Sequence, residues 1–104
     1  VVTKEKRVSY TTSKYALIGM TKTMALELAK SNILVNAVSP GFIDTELTRN
    51  VLGEQGIKEM IAQVPLKRLG QAKDIANLVL FLASNLNLFM TGENIVIDGG
   101  FSCA

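Results

Sequence analysis

The feature that most restricts the fold is an abrupt change of hydrophobic period near residue 32. Before it, Leu17, Met20, Met24 and Leu28 recur at helical spacing, with Ala16 and Ala25 beside them. That spacing predicts one long helix over residues 9–30, with Ser9 as its N-cap and Ser31-Asn32 as its stop. Ile33-Leu34-Val35-Asn36-Ala37-Val38 follows at once, short and β-branched, and is closed by Ser39-Pro40-Gly41. Length and flanks favour a buried strand over a second helix. A near-continuous apolar strand directly after a helix implies a parallel sheet covered on both faces.

The rest of the chain extends the pattern. Over residues 44–70, Asp44 or Thr45 is placed to cap a helix to about Arg49, and residues 54–63 form a second. Gly53, Gly56, Pro65 and Gly70 punctuate the stretch, which reads as a mobile helical insertion. Ile75, Leu78, Val79 and Leu82 then predict a helix over 72–84. Asn94-Ile95-Val96-Ile97 predicts a strand, and Asp98-Gly99-Gly100 a turn that ends it. Helix, strand, helices, helix, strand is an α/β order. Two strands are fewer than the roughly four to six of an ordinary sheet, so these elements are expected to belong to a larger one.

Composition narrows the function classes. Hydrophobic residues make up 48% of the 104 and charged residues 19%, which suits a globular chain with a thin stability margin at this size. The net charge of +2 is too small to argue for a nucleic-acid partner. The basic stretch Lys4 to Arg7 contains Glu5 and reads as a solvated lead-in. One cysteine, Cys103, and no histidine exclude an internal disulfide and a Cys/His metal cluster. The longest apolar runs, such as 78–83, fall far short of the ~20 residues that span a bilayer, and no signal-peptide pattern opens the chain. A reducing, cytoplasmic setting without a membrane partner is the expectation.

Tyr10 and Lys14 stand four apart on the first helix and so share a face. A phenol, which titrates near ~10, is a poor proton donor at neutral pH, and a neighbouring ammonium favours its ionised form. Such a pair is able to exchange a proton with an alcohol or carbonyl oxygen. Taken alone the spacing is common and equally fits an ordinary surface pair. Pro40-Gly41 reads as a turn letting backbone approach a ligand, or as a plain turn. Thr45 reads as a hydroxyl at a helix start facing a polar ligand, or as a plain N-cap.

Context adds weight to the functional readings. Tyr10-Thr-Thr-Ser-Lys14-Tyr-Ala-Leu-Ile-Gly-Met-Thr, then Ala25-Leu-Glu-Leu-Ala, then Ile33 through Gly41 resemble the short-chain dehydrogenase/reductase family. So do Pro65-Leu-Lys-Arg-Leu-Gly70, Asp74-Ile-Ala, and Thr91-Gly-Glu-Asn-Ile-Val-Ile-Asp-Gly-Gly100. The match runs in order from about Val8 to Gly100. Within the family it is most like the bacterial 3-oxoacyl-(acyl-carrier-protein) reductase type, which points to fatty acid biosynthesis. The resemblance implies the C-terminal part of a single Rossmann-like domain, a doubly wound parallel sheet of which two strands and their flanking helices are present. It makes Tyr10 the general acid/base, and Lys14 the holder of the nicotinamide ribose hydroxyls and the tyrosine's electrostatic aid. It places Pro40 and Gly41 beside the nicotinamide, Ile43 with its backbone at the carboxamide, and Thr45 at carboxamide or phosphate. The implied cofactor is NADP or NAD, with NADP favoured. The implied partners are a small carbonyl or alcohol, or an acyl-carrier-protein-bound substrate, and further copies of the chain in a dimer or tetramer. Helices 9–30 and 72–84, with Met20 and Met24, are the expected interface or core.

The family's glycine-rich G-x-x-x-G-x-G turn, which holds the cofactor pyrophosphate, does not occur in these residues. Nor do its catalytic serine and asparagine. Ser9, Thr11, Thr12 and Ser13 stand at the wrong spacing to replace the serine. The chain by itself is therefore expected to lack dehydrogenase activity, since positioning supplies many powers of ten in rate. The alternative is a truncated, non-catalytic remnant or oligomerisation module. Substrate choice is expected to lie in residues 44–70, where Leu47, Val51, Leu52, Ile57, Met60 and Ile61 line a pocket or pack as amphipathic helices. Lys67 and Arg68 are the candidate contacts for an acidic carrier protein, or plain solvated charges.

Overall fold

The computed structural model describes residues 5–103. In chain order they form α1 (Val8–Leu28), a 3-10 turn (Ala29–Ser31), β1 (Ala37–Pro40), α2 (Glu46–Gln63), α3 (Ala72–Ala83), β2 (Asn94–Ile97) and a second 3-10 turn (Phe101–Cys103). The two strands pair in a parallel, two-stranded sheet. The chain divides into two compact units. One runs to Ser39 and takes in Phe81–Ile95; the other is Pro40–Leu80 with the chain from Val96 onward.

In the first unit, α1 begins one residue earlier than the sequence predicts. Its N-cap is Arg7, which makes no side-chain capping bond, and Ser9 lies inside the first turn. A serine there is past the position from which its hydroxyl caps the free amides, so the expected cap is not formed. The helix ends where expected. Asn32 adopts the left-handed conformation, φ 57° and ψ 38°, and its amide donates to the Ala29 carbonyl at 2.9 Å. Of the predicted stripe, Leu17, Met20 and Met24 are 38–51% exposed, whereas Leu28 is half-buried. Thr21 and Ala25 are buried, with Ile18 and Leu28 half-buried on the same side. The Thr21 hydroxyl is satisfied by donating to the Leu17 carbonyl at 2.7 Å.

The predicted strand over 33–38 is corrected to Ala37–Pro40, and it is half-buried rather than covered on both faces. Residues 35 and 36 spend their hydrogen bonds on the approach to β2 instead. Val35 donates to the Thr91 hydroxyl at 2.9 Å and accepts from Gly92, while the Asn36 amide donates to the Met90 carbonyl and accepts from Glu93. This sets the register in which the Ala37 amide reaches the Glu93 carbonyl at 2.8 Å. Buried Asn87 fixes the preceding turn, donating to the Leu82 and Met90 carbonyls and accepting from the Met90 amide.

In the second unit, Pro40 is the last residue of β1, not part of a turn. A two-stranded sheet leaves each strand an open lateral edge, where a missing N–H costs no ladder bond. The chain then runs extended, and Ile43 forms a parallel bridge with Gly70. Thr45 caps α2, its Oγ1 accepting from the Thr48 amide at 3.1 Å. Gly53, at φ 69° and ψ 178°, breaks α2 into two helical halves, as the sequence predicts for 44–63. Ile57, Val64 and Leu69 are the buried apolar residues of this unit. At the start of α3 the Asp74 carboxylate accepts the Gln71 amide at 2.8 Å, which is one half of a capping box. The Asp98-Gly99-Gly100 turn packs on residues 64–66, and a Cβ on Gly99 would lie 2.8 Å from Val64 Cγ1. The Leu66 amide donates to the Gly99 carbonyl at 3.1 Å.

Candidate active site

Tyr10 and Lys14 lie one turn apart on α1, both exposed, with the Lys14 ammonium 5.2 Å from the Tyr10 ring centroid. A third group joins them. Arg7 places its guanidinium carbon 4.3 Å from the same centroid, inside the range of a cation–π contact. The lead-in stretch read as solvated therefore contributes a cation to the tyrosine, while Lys4 lies outside the described residues. The first helical turn offers no substitute for an orienting serine at Ser13, whose hydroxyl donates to the Tyr10 carbonyl at 2.8 Å.

Pro40, Gly41, Ile43 and Thr45 belong to the second unit. The Gly41 amide donates to the Ile97 carbonyl at 3.0 Å, and a Cβ at Gly41 would stand 2.5 Å from Asp98 Cβ. Close approach to β2 is thus sufficient reason for glycine there. The bridge at Ile43 uses its neighbours: Gly70 donates to the Phe42 carbonyl at 2.8 Å, and Asp44 donates to the Gly70 carbonyl at 2.7 Å. In a parallel bridge the middle residue's own amide and carbonyl point the other way. Those of Ile43 have no partner among the described residues. Two residues on, the exposed Thr45 hydroxyl lies within 2.9 Å of the Thr48 hydroxyl at the start of α2, where helix amides are free.

Three carboxylates order this unit. Arg49 grips Asp44 with Nε and Nη2, both at 2.7 Å, and that hydrogen bond is the main reason the Asp44 carboxyl lies below its usual range. Arg68 at 3.0 Å and the Gln71 amide do the same for Asp74. At Asp98 burial opposes ionisation, yet hydrogen bonds from Ser102, Gly100 and Phe101 prevail and hold the carboxyl low. Lys67 and Arg68, read as carrier contacts or plain solvated charges, are exposed and also bond locally. Lys67 Nζ donates to the Ala62 carbonyl at 2.6 Å, and Arg68 donates to Leu69 and Asp74. A cavity of about 160 Å³ opens among Phe42, Ile43, Leu66, Ile75, Ile97 and Asp98. Of the six apolar residues expected to line a pocket or pack as amphipathic helices, Ile57 is buried, Leu52, Met60 and Ile61 are half-buried, and Leu47 and Val51 are exposed on the first half of α2.

A family model described as enoyl-(acyl-carrier-protein) reductase matches residues 1–102. The chain is similar to a solved short-chain dehydrogenase family protein of Francisella tularensis, with a TM-score of 0.91 and 41% identity over 99% of this chain and 47% of that one. The chain belongs to the short-chain dehydrogenase/reductase family. Its α/β architecture is accordingly that of a Rossmann-like fold. The 3-oxoacyl-(acyl-carrier-protein) reductase of Aquifex aeolicus is 50% identical over 94 residues, 90% of this chain and 38% of that protein. A 4-hydroxyisoleucine dehydrogenase solved with NADH is similar at a TM-score of 0.90 and 39% identity, over 99% of this chain and 43% of that one. This family chain thus spans less than half the length of each of these relatives.

The residues present suit a nicotinamide nucleotide on chemical grounds. The unpaired amide and carbonyl of Ile43 complement a carboxamide, which both donates and accepts. The Lys14 ammonium forms no ion pair among the described residues, and an ammonium has three N–H donors of the kind a ribose hydroxyl accepts. No group of three or more metal-binding side chains occurs among the described residues, and no described helix is long and apolar enough to cross a membrane.

Proposed function

We propose that this chain supplies the acid/base pair and the nicotinamide-contacting segment of an NAD(P)-dependent oxidoreductase that interconverts a carbonyl and an alcohol. The reading rests on Tyr10 and Lys14 one turn apart on α1, with the Lys14 ammonium 5.2 Å from the phenol ring. Tyr10 gives its phenolic proton to the carbonyl oxygen, and Lys14 binds ribose hydroxyls and favours the phenolate left behind. Ile43 holds the carboxamide with its backbone, Pro40 and Gly41 shape the wall beside the ring, and Thr45 binds carboxamide or phosphate. When bound, the reduced nicotinamide supplies the hydride. The pyrophosphate-binding turn, the carbonyl-orienting serine and the asparagine belong to the first half of the same Rossmann-like domain, of which these residues are the C-terminal part. The 104 residues alone are then inactive.

The substrate we assign is a 3-oxoacyl group on acyl-carrier protein, with NADP favoured over NAD, in a cytoplasmic homo-oligomer. The 50% identity with the Aquifex aeolicus reductase supports this choice. The test is NADPH and NADH oxidation by the gene-encoded protein with a 3-oxoacyl thioester and, in parallel, a 2-enoyl thioester. Loss of the 3-oxo substrate with appearance of a 3-hydroxy product, abolished by Tyr10→Phe, is the expected result. Turnover of the 2-enoyl thioester alone would refute it. A non-catalytic oligomerisation module is the second reading, favoured by the exposed apolar side chains Leu17, Met20 and Leu26 of α1. Binding of neither nucleotide by the gene-encoded protein, together with self-association, would favour that reading instead.

A further inference from the structure

We propose that Arg7 is a positioning residue for proton transfer by Tyr10. The inference rests on the proposed function and adds to it a group that neither the Tyr-x-x-x-Lys spacing nor the nicotinamide contacts include. The guanidinium carbon of Arg7 lies 4.3 Å from the Tyr10 ring centroid, closer than the Lys14 ammonium at 5.2 Å. The start of the helix places the Arg7 backbone. Arg7 is the N-cap of α1, and its carbonyl accepts the Thr11 amide at 2.8 Å, so its Cα and the Tyr10 ring share the first turn. It has no salt-bridge partner among the described residues, so no carboxylate among them competes with the ring for its charge.

The physical effect has a definite sign. As the substrate carbon takes hydride, the electron pair of the C=O π bond moves to oxygen. That pair captures the phenolic proton, so the O–H bond of Tyr10 breaks as the alcohol O–H bond forms. Negative charge then spreads from the phenolate oxygen into the ring. A cation over the ring is attracted weakly by the neutral phenol's quadrupole and more strongly by the anionic ring. Arg7 thus binds the product state of the proton transfer better than its starting state, which speeds the transfer rather than substrate binding.

The experiment compares wild type, Arg7→Gln and Arg7→Lys of the gene-encoded protein with NADPH or NADH and a 3-oxoacyl thioester. Ring NMR signals of selectively labelled tyrosine are recorded in parallel, with Tyr10 assigned by its absence in Tyr10→Phe. Arg7→Gln is expected to lower kcat about three- to tenfold with KM for the thioester unchanged, and to move the Tyr10 ring signal. Arg7→Lys, which keeps the charge on a more strongly hydrated head, is expected to recover part of both. An unchanged kcat in Arg7→Gln, or equal losses in the two variants, overturns the inference and leaves the proposed function standing. A rise in KM at constant kcat overturns it as well, by assigning Arg7 to binding. Absence of any nucleotide oxidation by wild type overturns the proposed function and this inference with it.

Discussion

Tyr10 is half-exposed, so its replacement is expected to test chemistry more than folding. Tyr10→Phe should lower kcat by about 10²- to 10⁴-fold in steady-state assays while the circular dichroism spectrum stays unchanged. Asp98 carries a different role. Its carboxylate accepts the Gly100 amide at 3.0 Å and the Ser102 amide at 2.9 Å. Because its folded value lies below the unfolded one, it stabilises at pH above the ordinary aspartate value of ~3.9. That contribution fades as pH falls through the folded value. The melting temperature of the gene-encoded protein should fall more steeply below about pH 4 in wild type than in Asp98→Asn. The Tyr10–Lys14 pair was legible in the sequence because helical geometry alone puts positions four apart on one face. Arg7 was not, because its contact depends on where α1 starts, and residue 7 rather than Ser9 occupies the cap. The need for glycine at 41 was hidden too, since it arises from Asp98 across the sheet.

At the scale of elements, the kink in α2 is the sharpest feature. Gly53 sits at φ 69°, ψ 178°, a conformation essentially reserved for glycine, and nothing lies within 4 Å of an added Cβ. Gly53→Ala should therefore lose about 1–3 kcal/mol through backbone strain alone, measurable by urea titration of the gene-encoded protein. Thr45→Ala should lose about 1 kcal/mol in the same measurement, through its capping bond to Thr48. Glycine and proline punctuation made the two halves of α2 readable, and β2 with its turn fell where the sequence placed it. Which side of α1 packs within this chain was not readable, because apolar residues lie on more than one side of that helix. Leu28 and Ala25 of the predicted set are covered together with Ile18, whereas Leu17, Met20 and Met24 are exposed, and period alone does not separate them. The strand over 33–38 shifted because Val35 and Asn36 satisfy their polar groups through the turn at 90–93, leaving only Ala37–Pro40 to pair regularly.

At the scale of the molecule, exposed apolar surface is the dominant feature. The buried apolar side chains among the described residues are Ala25, Ile57, Val64 and Leu69, whereas Leu26, Leu86, Leu88 and Phe89 are 76–98% exposed. Isolated as 104 residues, the chain should bind a hydrophobic dye, sediment as a concentration-dependent mixture, and melt without a sharp calorimetric transition. A sharp, concentration-independent melt from a monomer would contradict this. The thin core was legible from chain length and strand count, whereas which side chains it strands was not, since exposure depends on neighbours that periodicity does not name. The two-stranded sheet carries one more consequence. Each strand keeps a flank of unpaired amides and carbonyls, with its register already locked by Asn36 and Ser39. Such an edge is a template for strand addition. The 104 residues are in that sense a ready-made receiver for a split reporter, in which a separately expressed strand-bearing piece of a relative restores a signal only on joining.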